Sequence, residues 1–211
     1  MRIAVINETS AGDKNAHILS ALDGLGHDII NAGMRQKGGK PELQYTHTGF
    51  LTALLLNIDR VDFVIGGCGT GQGYLNSVMQ YPGVFCGHIL TPLDAMLFAR
   101  INGGNCISLA LNQGYGWAAD VNLRFIFERL FVSPFGAGFP PERAEPQKRS
   151  REALIEVSRA THRSFSEIVT RLSNEIVQDA MSFPGVRDLV KESVSSDAEL
   201  RAALVKQGVS L

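Results

Sequence analysis

Five short apolar segments rich in Val, Ile and Phe occur in the first half of the chain. They lack the alternation of apolar and polar residues that a sheet with one solvated face shows, so they predict strands covered on both faces, as in a parallel sheet. The predicted strands are Arg2–Ile6, His27–Asn31, Val61–Gly66, Gly83–Ile89 and Asn105–Leu111.

Helical segments alternate with these strands. In Lys14–Leu25 the apolar residues recur every three or four positions, which is the spacing of one buried helix face. The other predicted helices in this part are His47–Ile58, Tyr74–Gln80, Pro92–Ile101 and Trp117–Phe131. This alternation predicts an α/β fold with a doubly wound parallel sheet of about five strands.

The pattern changes after residue 132. The stretch that follows Ser133 holds four prolines and two glycines and ends in basic residues, which predicts a connector. Beyond it the chain is more polar, with predicted helices over Glu152–Arg163, Ser164–Met181, Pro184–Ser193 and Asp197–Gln207. The predicted organisation is an α/β domain over residues 1–132, a connector over 133–149 and a helical extension over 150–211.

Composition narrows the classes of partner. With 45% hydrophobic and 19% charged residues in 211, the chain is a globular one that can bury a core. The balance of 20 basic and 21 acidic residues gives no reason to expect nucleic acid or a membrane surface as partner, so we expect a small-molecule substrate. Three cysteines without metal-ligand spacing, and no apolar run of about 20 residues, indicate a cytoplasmic protein without a metal site.

The strongest chemical signal is the run GGCGTGQG at residues 66–73, which follows a predicted strand. In open parallel sheets the ligand crevice lies beyond the carboxyl ends of the strands. Five glycines in eight positions leave the backbone N–H groups unobstructed, so they can converge on an anion. The run fits neither the dinucleotide fingerprint nor the phosphate-binding P-loop. The alternative interpretation is a tight strand-to-helix turn with an incidental thiol.

Cys68 lies inside this run. A thiol beside a helix N-terminus has its thiolate stabilised, which makes Cys68 a candidate base or nucleophile. Cys86 and Cys106 fall within apolar strand patterns and are expected in the core. His88 ends a predicted strand and is expected to face either the crevice or the core, and His47 begins a predicted helix.

A basic run follows the connector prolines, with Arg143, Lys148, Arg149 and Arg151. Such a run is usually a solvated face. The functional alternative is a phosphate clamp, because arginine and lysine bind phosphate through charge-assisted hydrogen bonds.

Several of these pieces resemble the ribose-5-phosphate isomerase B and galactose-6-phosphate isomerase family, over about residues 1–150. They are Val61–Phe63, the Cys68–Gly71 turn, Tyr45 with His47, and Ala99–Asn105. The resemblance implies a Rossmann-like fold and an aldose–ketose isomerase that acts on sugar phosphates without metal or organic cofactor. It also implies a homodimer or homotetramer with sites between subunits. The extension places this chain in a longer, divergent subgroup.

The resemblance further implies roles for matching residues. Cys68 matches the base that moves a proton between C2 and C1 through a cis-enediolate, and Thr70 matches a hydroxyl that contacts the sugar. Gly69, Gly71 and Gly73 match the anion hole for the enediolate. The remaining substrate-binding candidates are Glu8, Thr9, Tyr45, His47, Gln72, His88, Asn102, Arg143, Lys148 and Arg149.

The chain also departs from the family pattern. Ile101 stands where the family has a ring-opening histidine, and Glu8-Thr9 stands where it has an Asp-His pair. We therefore expect a preference for acyclic sugar phosphates, unless His88 or His47 replaces the missing histidine in space. Two other functions stay open: a non-catalytic sugar-phosphate-binding protein, and a hydrolase with a cysteine nucleophile.

Overall fold

A computed structural model describes residues 1–194 and 197–211 of the chain. Five strands form one parallel sheet in the order β2-β1-β3-β5-β4. Their bounds are β1 (Arg2–Asn7), β2 (Asp28–Asn31), β3 (Phe63–Cys68), β4 (Cys86–Ile89) and β5 (Cys106–Ala110). The predicted five-stranded parallel sheet is confirmed.

Helices connect the strands and form the C-terminal part. The first five are α1 (Asn15–Leu22), α2 (Tyr45–Asn57), α3 (Gln72–Val78), α4 (Pro92–Leu97) and α5 (Ala119–Phe131). The last five are α6 (Ala144–Thr161), α7 (Phe165–Arg171), α8 (Asn174–Ser182), α9 (Val186–Val194) and α10 (Ala198–Lys206). A 3₁₀ turn over Thr9–Lys14 precedes α1, and a π-helical turn over Phe98–Asn102 continues α4. No helix in the described ranges has both the length and the apolar character of a membrane span.

The sheet is doubly wound, and each face has its own core. Side chains of a strand alternate between faces, so Ile3 and Val5 pack with α1, α4 and α5 while Ala4 and Ile6 pack with α2 and α3. On β3, Val64 and Cys68 belong to the face of α2 and α3. Helices on both faces of a parallel sheet are the Rossmann-like arrangement that the resemblance implies.

The strand order reverses at β1, which has β2 on one side and β3 on the other. Asn7 at the end of β1 pairs with Gly67, next to the last residue of β3. Just beyond the strand, the Glu8 N–H donates to the Gly67 carbonyl at 3.1 Å. A crevice opens at such a reversal because the connections leave in opposite directions. The Cys68 turn therefore lies at the switch point of the fold.

The helical extension packs against α2. Every residue from His47 to Leu55 is buried, since α2 lies between the sheet and the extension. The Phe50 ring stacks on Phe165 of α7 with ring centroids 6.1 Å apart, and Val177 and Met181 of α8 are buried in the same core. The extension thus completes the core on this face of the sheet. The division at residues 132 and 149 stays a prediction.

Two helices of this part differ from expectation. The predicted single helix over Ser164–Met181 is wrong, because the chain breaks between α7 and α8. Ser173 caps α8 by accepting the Ile176 N–H, and Gln207 donates its side-chain amide to the Leu172 carbonyl at 3.1 Å, so both helix ends find partners. Helix α6 begins at Ala144, inside the segment predicted to be the connector.

Candidate active site

Cys68 is the last residue of β3, at the carboxyl edge of the sheet. Its side chain is 6% exposed and faces the side of α2 and α3. Two residues earlier, Gly66 leaves room for the ring of Tyr74, which any Cβ at Gly66 would hit. Tyr74 is fully buried and shares a 2.6 Å hydrogen bond with Thr52, and burial raises the pKa of Tyr74 well above its usual value. The base of the turn is therefore packed against a neutral tyrosine.

The backbone beyond Cys68 turns sharply into α3. Gly71 has a φ of 75°, a left-handed conformation that glycine adopts without strain. Ser108 of β5 fixes this bend by donating its hydroxyl to the Gly71 carbonyl at 2.6 Å. Within the part of the chain that the structure describes, the N–H groups of Thr70, Gly71 and Gly73 have no hydrogen-bond acceptor. These N–H groups are the donors that the turn leaves free.

Glu8 and Gly69 lie on the other side of Cys68. The Glu8 side chain is almost buried and accepts hydrogen bonds from Ser10, while the Gly69 N–H donates to Ser10 Oγ at 2.9 Å. The structure brings both predicted residues to the Cys68 turn. Both are already hydrogen-bonded to the protein.

His88 and Gln72 form a polar rim on the turn. His88 Nε2 donates to the Thr70 carbonyl at 3.1 Å, so the neutral ring accepts at Nδ1 from Gln72 Nε2 at 3.3 Å. His88 thus faces the turn rather than the core. Thr70 Oγ1 accepts the Gln72 N–H at 3.3 Å, and the residue is exposed.

Tyr45 and Thr9 border the crevice. The ring of Tyr45 is half exposed and covers Gly73, where a Cβ would come within 3.1 Å of Tyr45 Cδ1. Thr9 donates its backbone N–H to the Leu43 carbonyl at 2.9 Å. Its side chain lies beside Glu42, and hydrogen bonds from Lys40, and to a smaller extent from Thr9, lower the pKa of that carboxyl. Tyr45 is therefore available to a ligand over the turn.

His47 is turned away from the Cys68 turn. It is 7% exposed, its Nδ1 accepts the Gln44 N–H at 3.1 Å, and its Nε2 lies 4.0 Å from Asp179 on α8. It lines a cleft of about 500 Å³ between the N-terminus of α2 and α8. In this chain, then, His47 connects α2 to the extension.

Asn102 is the last residue of the π-helical turn that continues α4. It is exposed and shares a cleft of about 320 Å³ with His88. A groove of about 380 Å³ continues from it between the π-helical turn and α6, lined by Ile101 and Arg151 among others. Among the described residues, neither cavity is lined by a residue of the Cys68 turn.

The predicted basic residues sit on or just before α6, and Arg143, Lys148 and Arg149 are exposed to solvent. Lys148 and Arg149 lie within 4 Å of Glu152 and Glu145 on the same helix. Arg143 ends the short 3₁₀ turn before α6. Across residues 1–194 and 197–211, no contact joins these three side chains to the Cys68 turn. Arg151 instead holds the connector by donating to the Ile101 and Gly136 carbonyls at 2.8 and 2.9 Å.

Sequence reasoning missed three residues of the site: Ser10, Ser108 and Asn112. Asn112 pairs its N–H with the Gly69 carbonyl and its side chain with the Ser10 carbonyl, both at 2.8 Å. Ser10 and Asn112 follow β1 and β5, so position at a carboxyl strand end was the available signal. Among the described residues, no three His, Cys, Asp or Glu side chains form a group that could hold a metal ion.

Comparison with known proteins gives related enzymes. The profile of the Ribose/Galactose Isomerase family matches residues 3–128. A ribose-5-phosphate isomerase from Vibrio parahaemolyticus is 39% identical, covers 99% of this chain and 98% of its own, and has a TM-score of 0.87. A 4-deoxy-L-threo-5-hexosulose-uronate ketol-isomerase, solved with tartrate, is 36% identical, covers 97% and 100%, and has a TM-score of 0.89. No curated protein sequence matches the chain.

The fold, the site and these relatives define an aldose–ketose isomerase on a Rossmann-like sheet. The chain belongs to the ribose/galactose isomerase family. A ribose 5-phosphate isomerase from Thermotoga maritima shares the fold at a TM-score of 0.60 and 20% identity, but covers only 74% of this chain. The Vibrio parahaemolyticus enzyme and the uronate ketol-isomerase span the helical extension as well, so the chain is of the longer form.

Proposed function

We propose that the enzyme isomerises a phosphorylated sugar through a cis-enediolate, with Cys68 as the proton-transfer base. The observation that carries the proposal is the position of the Cys68 thiol, at the switch-point crevice and directly before the free N–H groups of Thr70, Gly71 and Gly73. A thiol and a set of preorganised donors on one turn are the two parts that enediolate chemistry needs.

In the proposed mechanism the Cys68 thiolate takes the proton from the carbon beside the substrate carbonyl. The electrons of that C–H bond form the carbon–carbon double bond of the enediolate, and the carbonyl oxygen takes up the negative charge. The N–H groups of the turn stabilise this charge, each contributing about 3–4 kcal/mol when well placed. The proton of the hydroxyl on the neighbouring carbon passes to this oxygen, and Cys68 returns its proton to the former carbonyl carbon, which leaves the new carbonyl on the neighbouring carbon and gives the isomeric sugar.

The rim residues would bind the sugar. Thr70 and Gln72 present a hydroxyl and an amide beside the thiol, and Tyr45 offers a ring face over Gly73. His88 adjoins the turn where a ring-opening group would be useful, since Ile101 has no proton to transfer. A cyclic substrate would then need His88 to exchange a protein hydrogen bond for one to the sugar oxygen, so we expect acyclic sugars to be preferred.

A uronate sugar is the second candidate substrate. The relative that is a hexosulose-uronate ketol-isomerase spans 100% of its own length in the match, and its substrate carries a carboxylate in place of a phosphate. Both anions suit the same arginine and lysine side chains. The reaction proposed for Cys68 is the same for either substrate.

We also propose that the working enzyme is a cytoplasmic homodimer or homotetramer. Helix α6 is 18 residues long and buries none of them within one chain, and Leu154 and Val157 on it are half exposed. Packing against a second copy would cover this helix and bring Arg143, Lys148 or Arg149 to the partner's substrate. Three free thiols, of which Cys68 must stay reduced to act, suit a reducing compartment.

Replacement of Cys68 by alanine tests the base. We expect kcat to fall by about 10²–10⁴-fold with little change in melting temperature, because an acid/base group is lost and the cavity left is small. Cys86→Ala is the matched control, since Cys86 is a half-buried thiol on β4 outside the turn. If Cys68→Ala keeps more than about half of the parent kcat, Cys68 is not the base.

The substrate is tested by incubating the enzyme in heavy water with aldose and ketose phosphates of three to six carbons and with matched uronates. Incorporation of deuterium beside the carbonyl reports enediolate formation without knowledge of the product. Exchange with phosphates is the expected result. Exchange confined to the uronates would overturn the phosphate assignment and leave the mechanism in place.

A further inference from the structure

Ser10 lies where three segments of the crevice meet. It follows β1 within the 3₁₀ turn over Thr9–Lys14, and its side chain contacts Glu8 and also Gly69, 59 positions away in sequence. Its own carbonyl accepts the side-chain N–H of Asn112, which follows β5. One small residue thus connects the carboxyl ends of β1, β3 and β5.

The chemistry of the partners fixes the direction of each hydrogen bond. The Gly69 N–H can only donate, so Ser10 Oγ accepts it, at 2.9 Å. The hydroxyl proton of Ser10 then goes to the Glu8 carboxylate, which also accepts the Ser10 N–H at 2.9 Å. Glu8 therefore holds the hydroxyl with a lone pair aimed at Gly69. At 7% exposure, Glu8 has little surface left for a substrate.

Both polar groups of Gly69 are held. Its N–H donates to Ser10, and its carbonyl accepts the Asn112 N–H at 2.8 Å. Gly69 directly follows Cys68 and precedes Thr70, whose N–H is the first free donor of the turn. A shift of Gly69 would therefore move the thiol and the donors relative to each other.

We propose that Ser10, oriented by Glu8, is a positioning residue for the isomerisation. It holds the peptide between Cys68 and Gly69 so that the thiol and the free N–H groups face the same reacting carbons. In this arrangement Glu8 acts through Ser10 and not on the sugar, and the Gly69 N–H is not a donor to the enediolate. The inference rests on the proposed role of Cys68.

The first test is Ser10→Ala, with Ser10→Thr as the conservative variant that keeps the hydroxyl. We expect Ser10→Ala to lower kcat by about 10- to 100-fold, because a small misplacement of catalytic groups is costly. KM should change by less than about threefold, since no sugar contact is removed. Ser10→Thr should recover most of the kcat. A Ser10→Ala enzyme with the parent kcat would overturn the proposal.

A double-mutant cycle tests whether Glu8 acts through Ser10. If it does, Glu8→Ala together with Ser10→Ala loses no more activity than the worse single variant, because both remove the same interaction. If Glu8 binds the sugar instead, adding Glu8→Ala to Ser10→Ala raises KM by a further factor, and the proposal is wrong.

Hydrogen exchange of the Gly69 amide separates this proposal from the assignment of the base. Ser10→Ala removes the acceptor of that N–H, so we expect its exchange, followed by NMR, to speed up by about tenfold or more. Cys68→Ala measured in parallel decides the role of the thiol. An active Cys68→Ala enzyme would overturn the base and, with it, the positioning of that base, whereas unchanged Gly69 exchange in Ser10→Ala would overturn the positioning alone.

Discussion

Removal of the Phe165 ring tests whether the helical extension is part of the central core. Phe165 begins α7, is 7% exposed, and has its ring centroid 6.1 Å from those of both Phe50 on α2 and Tyr81. Phe165→Ala deletes a buried ring at the contact between the extension and the sheet layer. It leaves the Cys68 turn untouched.

The expected loss is large. A buried Phe→Ala substitution typically costs about 3–5 kcal/mol, because it loses hydrophobic transfer free energy and leaves a cavity. For a chain of this size each kcal/mol corresponds to about 2–4 °C, so the melting temperature should fall by about 6–20 °C. Such a loss is a large part of the total stability, about 5–15 kcal/mol in typical proteins.

The matched control is Phe125→Ala on α5, where the same ring is 52% exposed. It should cost about 0.5 kcal/mol or less, as surface substitutions do. Both variants are unfolded with urea and by heat at two protein concentrations, so that a change in association is seen separately. If Phe165→Ala is no less stable than Phe125→Ala, the extension does not contribute to the core as the structure indicates.

Three further predictions concern charge, backbone and assembly. Desolvation lowers the pKa of His27, whose ring nitrogens have no partner among the described residues, so as pH falls the unfolded chain binds the proton before the folded one. The free energy of unfolding should therefore fall as pH drops below about 6.5, and His27→Phe should flatten the dependence of melting temperature on pH. Gly71→Ala should lower kcat strongly, because the new Cβ would lie 2.6 Å from Nε2 of His88 and the φ of residue 71 is 75°. Gly116→Ala is the control and should leave kcat unchanged, since open space surrounds that position. Mixed Cys68→Ala and Arg143→Ala chains should regain activity in hybrid oligomers if the partner completes the site, and verified exchange without recovery would contradict that.

The architecture was predictable because apolar periodicity is local. A continuous apolar run predicted each of the five strands. The strand order reverses at β1, which places the crevice where β1 and β3 end. The break between α7 and α8 was not predictable from such a pattern. It depends on Gln207, which reaches back to the Leu172 carbonyl from α10, 35 positions later in the chain.

The candidate site divides in the same way. The glycine run around Cys68 has a sequence signature because a tight turn restricts the residue types that fit. The residues that hold that turn have no such sequence signature. Ser10 and Asn112 contact Gly69 only because the strand order places the ends of β1 and β5 beside the end of β3. The resemblance supplied Glu8 as a substrate ligand, but it could not show that the carboxylate is already hydrogen-bonded to Ser10.

His47 connects the helical extension to the helix that borders the Cys68 turn. Its ring accepts the Gln44 N–H at the first turn of α2 and approaches Asp179 of α8, while Tyr45 from the same turn covers Gly73. Movement of α8 would therefore shift the N-terminus of α2, and with it the Tyr45 ring that covers Gly73. The packing of α8 against α2 resists that movement, because displacing α8 would expose its buried side chains Val177 and Met181. Through His47 and α2, the extension is thus connected to the Cys68 turn.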